Sequence, residues 1–215
     1  MMETPYKYGT MPYRDRFECP SLHVSNDSIN WEEIVNNPID DIDEKGVIDM
    51  DYLSDPHLVF AHDKIECWYR LTKRYGDENS RSNVYLLRKT TTNGTDWSER
   101  EILLSLKNNH DNGIGNMIVS PSIIFESEKY NLWFVDSENM GKRDVAFASS
   151  HNAKKWDNKT ICTLHGKNVN PWHIDVAKIE DTYYLTCYDF QDITIYKSKN
   201  KTDFYFIKTL LKLSA

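Results

Sequence analysis

A pattern of short strands and tight turns recurs along this chain, and the recurrence constrains its fold more than any other feature. Within residues 53–97, apolar runs rich in Val, Leu, Tyr and Trp alternate with Asp, Asn and Gly, which is typical of strands joined by turns. The pattern predicts four antiparallel strands, at about 55–60, 64–71, 83–89 and 99–105, with a two-residue turn at His62-Asp63.

The same unit returns twice downstream. Residues 121–125 align with 56–60, and this alignment places Trp133 on Trp68 without a gap. A third copy begins at Trp172. Such self-similarity is the signature of an array in which each small sheet packs against the next.

Each copy contains the same short tag, with the pattern Ser/Thr-x-Asn/Asp-x-x-x-Trp/Phe. The tags end at Trp97, Trp156 and Phe204, and a further tag upstream ends at Trp31. The same offset sets Met2 on Trp68, so the upstream copy is expected to lack its first strand. Because the tag tryptophans recur at one repeat position, we expect them in the core between sheets.

The predicted fold is therefore all-β: a β-propeller of four-stranded antiparallel blades in a single domain spanning residues 1–215. Blades packed face to face bury surfaces that one sheet cannot bury alone, and they leave only short edges. The expected blade boundaries are a partial blade over 1–49 and full blades over about 50–117, 118–168 and 169–215. The acidic connection 32–52 is either a lid or a solvated loop.

Composition narrows the class of partner. With 26 basic and 33 acidic residues the formal charge is −7, and no basic stripe suited to nucleic acid is present. The four cysteines are widely spaced, as expected for reduced thiols. Neither a signal peptide nor a membrane-spanning run is visible, so we expect synthesis in a bacterial cytoplasm without membrane insertion.

The openings of the first strands are the candidate site. In a propeller these openings converge on one funnel, and the alignment gives Asp55, Ser120 and His173 equivalent places. Two residues further on, and on the same strand face, lie His57, Ser122 and Asp175. The alternative is that these side chains cap turns or bond to neighbouring backbone.

Aromatic side chains close to these openings suit a sugar ligand, because the apolar face of a sugar ring stacks on Trp or Tyr. Trp172 is the best-placed candidate and Tyr52 the second. The predicted ligand-binding set is Tyr52, Asp55, His57, Ser120, Trp172, His173 and Asp175. The His and Asp side chains are also possible ligands for a divalent ion, but this is the weaker interpretation, because polar groups around a water-filled axis explain them more simply. We expect no metal and no cofactor.

Several motifs resemble known families. The strand opening Ser54-Asp55-Pro56, the middle-strand ending Trp68-Tyr69-Arg70 and the tag are similar to the five-bladed propellers of glycoside hydrolase family 43 and its relatives. More closely, residues 2–8, 17–31, 54–60, 66–70 and 171–176 resemble the propeller of receptor-binding proteins from tailed phages of Gram-positive hosts such as staphylococci.

The phage resemblance implies adhesion. Its propellers bind cell-surface glycopolymers, wall teichoic acid in particular, as trimeric parts of a virion baseplate. It implies a homo-oligomer, or association with other structural chains, located in the virion. The net negative charge of the chain suits such a polyanion only if local basic and aromatic contacts compensate.

The alternative function is a glycoside hydrolase, which needs two carboxyl groups flanking one bond. The resemblance to family 43 implies three acids from three inner strands, whereas this chain offers Asp55 and Asp175 and has Ser120 in the third place. Glu18 resembles the acid/base of invertase-type propellers but opens a third strand in this alignment. The sequence therefore favours binding without turnover.

Overall fold

The computed structural model describes residues 2–3, 19–41, 52–73, 83–106, 113–115, 117–137 and 141–213. Throughout these ranges the regular secondary structure is β-strand, which confirms the predicted all-β class. In the same ranges no helix is long and apolar enough to cross a membrane. Contacts divide the chain into two compact units, Met1–Lys107 and Asn108–Ala215, which are described one at a time.

Unit 1 contains two antiparallel sheets. The first, in the order β1-β2-β3, consists of β1 (Met2–Glu3), β2 (Ser21–Val24) and β3 (Glu32–Glu33). The second follows chain order and consists of β4 (Tyr52–Ala61), β5 (Lys64–Lys73), β6 (Asn83–Thr91) and β7 (Glu101–Ser105). These four strands lie where the sequence predicted them.

The turn between β4 and β5 shows why the sequence located these strands well. His62 and Asp63 have φ values of 51° and 59°, so both residues adopt the left-handed conformation. A two-residue turn of this kind matches the twist of the strands that it joins. The second sheet packs against the first through a shared core that includes Leu22, Leu53 and Tyr69.

Unit 2 also contains two sheets. The third sheet has the order β11-β10-β9-β8 and consists of β8 (Ile118–Glu126), β9 (Lys129–Asp136), β10 (Asp144–Ser150) and β11 (Thr160–Ile161). The fourth has the order β12-β16-β15-β14-β13 and consists of β12 (Thr163–His165), β13 (His173–Ile179), β14 (Thr182–Tyr188), β15 (Asp192–Ser198) and β16 (Asp203–Lys212).

The chain crosses from the third sheet to the fourth between β11 and β12. After pairing with β10, it leaves at Cys162 and adds β12 parallel to β16 at the edge of the fourth sheet. Other neighbours in unit 2 are antiparallel. The core between the two sheets includes Trp133, Leu185 and Phe204, all fully buried.

The gapless alignment of repeats is reproduced in strand register. His57 pairs with Trp68 in the second sheet, and Ser122 pairs with Trp133 in the third. Both tryptophans have no exposed surface. A one-residue slip would turn each indole to the opposite face, so burial of both side chains fixes the register.

The tags form the same polar turn in each copy. In one of them, the Asn93 side-chain oxygen accepts hydrogen bonds from the backbone N–H groups of Thr95 and Asp96, and Asn152 does the same in the next tag. The expected core position holds for Trp156, which is 6% exposed, whereas Trp31 is 40% exposed.

Part of the connection 32–52 packs on the second sheet instead of extending into solvent. Asp40 is buried and accepts hydrogen bonds from Tyr69 Oη at 2.5 Å and from Arg100 Nε at 2.7 Å. Burial first, and then the Asp40 charge, raise the pKa of Tyr69. This end of the connection is therefore an anchored segment, while residues 42–51 lie outside the described part.

Candidate functional site

The predicted opening residue of β4 is held within its own sheet. Asp55 Oδ2 lies 2.5 Å from Arg70 Nε, and Arg70 Nη2 donates to Ser54 Oγ at 3.0 Å. Both members of the ion pair are about nine-tenths buried. Asp55 has a φ of 53° and lies in a register shift between Ser54 and His57, so the backbone bulges at this point.

Ser120, the equivalent residue of β8, has the same backbone and a different partner. Its φ is 50°, and it also lies in a register shift. The Ser120 hydroxyl donates to the carbonyl of Ile174 and accepts from the amide of Ile174, each at 3.0 Å. Ser120 is 6% exposed. Ser120 therefore connects β8 to β13. This agrees with the alternative expectation that these side chains form hydrogen bonds with neighbouring backbone.

Ser122, two residues further along β8, makes a similar contact with β13. The backbone N–H of Val176 donates to Ser122 Oγ at 2.9 Å, and that hydroxyl donates to Asp175 Oδ1 at 3.0 Å. Along β13 burial alternates, so His173 and Asp175 are exposed while Ile174 is buried. The predicted shared face of His173 and Asp175 is thus present, and Ser122 orients the Asp175 carboxylate.

Four aromatic rings gather where β13 begins and β14 ends, and we call this group the aromatic platform: Trp172, His173, Tyr188 and Phe190. Ring centroids lie 5.2 Å apart for Trp172 and Phe190, 5.4 Å for Tyr188 and Phe190 and 6.1 Å for the stacked His173 and Tyr188. Trp172 is 37% exposed and Phe190 is 53% exposed. This exposed group of aromatic rings is therefore the candidate binding surface of unit 2.

A polar cleft of about 620 Å³ adjoins the platform. It is lined by the loop before β10, by the segment 168–171 and by the turn after β14; the residues include Arg143, Asp144, Asn168, Asn170, Asp189 and Gln191. Asn170 joins two of these walls, because its side-chain oxygen accepts from the backbone N–H of Arg143 at 2.9 Å. Amide and carboxylate groups can form hydrogen bonds with the hydroxyl groups of a sugar.

Arg143 connects the cleft to the platform. Its guanidinium carbon lies 4.7 Å from the ring centroid of Trp172 and 5.7 Å from that of Phe190. Such cation–π contacts hold the guanidinium group against the two rings. The Nη1 atom is buried and has no hydrogen-bond partner, a costly state for a charged donor.

Thiol chemistry is disfavoured at this cleft. Cys162 also lines it, but burial, reinforced by the charge of Asp203, raises the pKa of the Cys162 thiol to about 12. The thiol is therefore protonated near neutral pH and is a poor nucleophile. In the described ranges no three His, Cys, Asp or Glu side chains cluster as a metal site.

The predicted site residues fall in both units. In unit 2, hydrogen bonds and ring contacts bring Ser120, Trp172, His173 and Asp175 together around the start of β13. In unit 1, Tyr52, Asp55 and His57 all lie on β4. The convergence of the two groups on one funnel, and the ligand contacts of each residue, remain predictions. Glu18 lies outside the described residues.

Sequence reasoning missed Arg143 and Phe190. Phe190 gave a signal that went unused, because it is an aromatic residue in a polar turn between Asp189 and Gln191. Arg143 gave none, because a basic residue next to Lys142 at the end of a loop is ordinary solvated sequence.

Comparisons with solved structures give the fold class. An N-acetylgalactosamine deacetylase from F. plautii, in complex with blood group B trisaccharide, matches 100% of this chain and 77% of its own with a TM-score of 0.73 at 14% identity. A putative glycoside hydrolase from Parabacteroides distasonis matches 76% of this chain and 53% of its own, with a TM-score of 0.54 at 18% identity.

A family 117 glycoside hydrolase from Zobellia galactanivorans gives a similar match, over 72% of this chain and 54% of its own, with a TM-score of 0.53 at 13% identity. This chain thus spans about half the length of the two glycoside hydrolases. No protein-family model and no curated protein matches the sequence. The fold is of the β-propeller class, as predicted; within the described part of the chain, two of the sheets have the expected four antiparallel strands, one has three, and one has five with a parallel edge strand. These neighbours are carbohydrate-active enzymes.

Proposed function

We propose that this protein binds carbohydrate at the aromatic platform and the adjoining cleft of unit 2. The observation that carries the proposal is the exposed Trp172–Phe190 pair, with ring centroids 5.2 Å apart, beside a cleft lined by amide and carboxylate side chains. A sugar ring presents an apolar face to an aromatic ring and hydroxyl groups to polar neighbours, so it matches both parts. The carbohydrate-active neighbours support the same substrate class.

Binding is tested by titrating the purified chain with a panel of oligosaccharides and comparing two tryptophan variants. Trp172→Ala is expected to weaken binding about tenfold, which corresponds to about 1.4 kcal/mol. Trp31→Ala is the matched control, because Trp31 is exposed to a similar extent, 40% against 37%, and lies in unit 1. Equal losses in both variants, or no binding by the unaltered chain, would contradict the proposal.

Glycoside hydrolysis is the form of this function that the structural neighbours favour. Asp175 is the candidate carboxylate, since it is exposed on β13 and accepts a hydrogen bond from Ser122. Release of reducing sugar that Asp175→Asn abolishes, while binding persists, would establish turnover. Asp181→Asn, in the exposed turn at the other end of β13, is the control. The other acids of the sequence-based proposal, Asp55 and Glu18, are tested in the same way.

Phage-type adhesion rests on the sequence motifs, with wall teichoic acid as the proposed ligand and a virion-bound oligomer as the proposed form. Its test is a pull-down on Gram-positive cell walls with and without teichoic acid, with the same supernatant assayed for released sugar. Binding that depends on the glycopolymer, with nothing released, supports the adhesin. Released sugar that disappears in Asp175→Asn favours the hydrolase.

A further inference from the structure

We propose that the cleft beside Arg143 receives an anionic group of the bound glycan, so that the ligand is an acidic saccharide. The inference rests on the proposed function, because the acidic group is carried by the sugar that stacks on the platform. It assigns recognition of the ligand's charge to a residue, Arg143, which neither the fold nor the neighbours specify.

Among the described residues, Arg143 is the cation of the cleft that has no carboxylate partner. The neighbouring Lys142 pairs with Asp144 at 3.0 Å. The Asp189 carboxylate accepts the backbone N–H groups of Gln191 and Asp192, at 3.1 and 2.8 Å, and so closes its own turn. Among the described residues no carboxylate pairs with Arg143, and its Nη1 atom has no hydrogen-bond acceptor.

The geometry of Arg143 suits recognition of a planar or tetrahedral anion. The Arg143 guanidinium carbon lies over the rings of Trp172 and Phe190, and these contacts provide no hydrogen-bond acceptor for its N–H donors. Guanidinium edges bind carboxylate and phosphate oxygens through two parallel hydrogen bonds. The Arg143 side chain is half-buried, so part of it is accessible to an incoming group.

The position of Arg143 sets the acidic group beside the stacked ring. The guanidinium carbon lies 4.7 Å from the Trp172 ring centroid, so an acidic group bound by Arg143 lies next to the platform. A chain of net charge −7 repels polyanions at long range. Selectivity for an acidic glycan must therefore come from this local contact, which removes the charged donor from its unsatisfied state.

The test uses two pairs of probes, because either a carboxylate or a phosphate can supply the anion. Hexagalacturonic acid is compared with its methyl ester, and glycosylated poly(glycerol phosphate) is compared with the neutral sugar released from it. Isothermal titration with the full chain is expected to show at least a tenfold preference for one acidic member over its neutral match. The pair that shows the preference identifies the source of the charge.

Variants separate the local contact from net charge. Arg143→Gln is expected to reduce binding of the acidic probe to the level that the same variant shows for the neutral probe. Arg143→Lys keeps the positive charge but loses the planar arrangement of N–H donors, so an intermediate preference for the acidic probe is expected. Lys142→Gln removes the same charge one residue away, from a side chain that is 73% exposed, and should retain the preference.

The outcomes distinguish this inference from the function on which it rests. If the chain binds neutral and acidic probes equally and Arg143→Gln changes nothing, the charge assignment is overturned while carbohydrate binding stands. If Lys142→Gln and Arg143→Gln lower acidic binding equally, the effect is one of net charge and the site is overturned. If neither the acidic nor the neutral probes bind, and Trp172→Ala does not change binding to the oligosaccharide panel, both proposals are wrong.

Discussion

The second and third sheets have the same backbone conformation where their first strands begin, but different side chains occupy these positions. In the second sheet Asp55 pairs with Arg70 on the next strand, and both are buried. At the same repeat positions the third sheet has Ser120 and Val135; Val135 lies in the core, and Ser120 bonds to the backbone of β13. One opening is closed within its sheet, whereas the other joins two sheets.

The fourth sheet fills these positions in a third way. His173 and Tyr188 pair across β13 and β14, and their rings stack with centroids 6.1 Å apart. Neither member is fully buried, and together they extend into the aromatic platform. The repeat therefore specifies the geometry of the strands but not the side chains at the strand openings. These side chains form an ion pair in the second sheet, hydrogen bonds to a neighbouring strand in the third and an exposed aromatic surface in the fourth.

The largest effect is expected from breaking the buried ion pair of the second sheet. Arg70→Val leaves the Asp55 carboxylate buried without its partner, so the free energy of unfolding should fall by about 3 to 5 kcal/mol. Urea denaturation followed by tryptophan fluorescence measures the change.

The double variant Asp55→Ser/Arg70→Val, which copies the pair of the third sheet, is the control for this prediction. It removes both charges, so it should recover most of the lost stability. A double variant no more stable than Arg70→Val would show that the two openings are not interchangeable.

A smaller effect is expected from the clamp between β8 and β13. Ser122→Ala removes the acceptor of the buried Val176 N–H, at a cost of about 1 to 3 kcal/mol in the free energy of unfolding. Ser149→Ala is the matched control, because that hydroxyl bonds to Asp157 near the surface and should matter by less than about 0.5 kcal/mol. Equal denaturation midpoints for the two variants would argue against a clamp.

The far end of β8 has an ionisable side chain that the second sheet lacks at the same repeat position, since Ala61 stands at the position of Glu126. Burial works against ionisation of Glu126, but hydrogen bonds from Lys178, Tyr183 and Lys201 prevail and lower its pKa from 4.5 to about 2. Because the folded pKa is depressed, the stabilisation is fully present above pH 4.5 and is lost as the pH falls toward about 2.

The expected contribution of Glu126 is on the order of 1 to 2 kcal/mol, allowing for partial solvent screening. Denaturation midpoints measured between pH 6 and pH 2.5 test it. The Glu126→Gln variant should be less stable at pH 6 and should converge with the unaltered chain at the acid end. A constant difference between the two over this range would exclude the linkage.

The smallest effect on stability is expected in the fourth sheet, where the equivalent pair, His173 and Tyr188, is part of the partly exposed aromatic platform. Trp172→Ala should lower the free energy of unfolding by less than about 1 kcal/mol, because the indole is 37% exposed. The same variant should lose most carbohydrate binding. A large loss of stability without loss of binding would make the platform a structural element.

The repeat predicted the strands of the second sheet and their register because these depend on local signals. Alternation, turn residues such as His62-Asp63 and the spacing of Trp68 all act between neighbours in sequence. The sequence could not predict that Thr163–His165 leaves the third sheet to join the fourth, because that pairing depends on where the distant strand β16 lies. Trp31, expected in the core, is exposed for the same reason: its repeat position alone does not supply a neighbouring surface.

The candidate site was predicted in part. Trp172, His173 and Asp175 were identified from the position of β13 in the repeat, and the structure sets them at one end of the unit with Ser122 bound to Asp175. Arg143 and Phe190 were missed because they come from loops that no repeat position distinguishes.

By itself, then, the sequence determined the all-β class, the blade-like unit and the strand alignment, since hydrophobic period and turn chemistry are properties of adjacent residues. Only the tertiary structure decided which polar and aromatic side chains meet. Arg143 and Trp172 are 29 positions apart in the sequence and 4.7 Å apart in space. Their contact arises because two sheets pack face to face and bring the loops at their ends together, a result of long-range burial that no local pattern encodes.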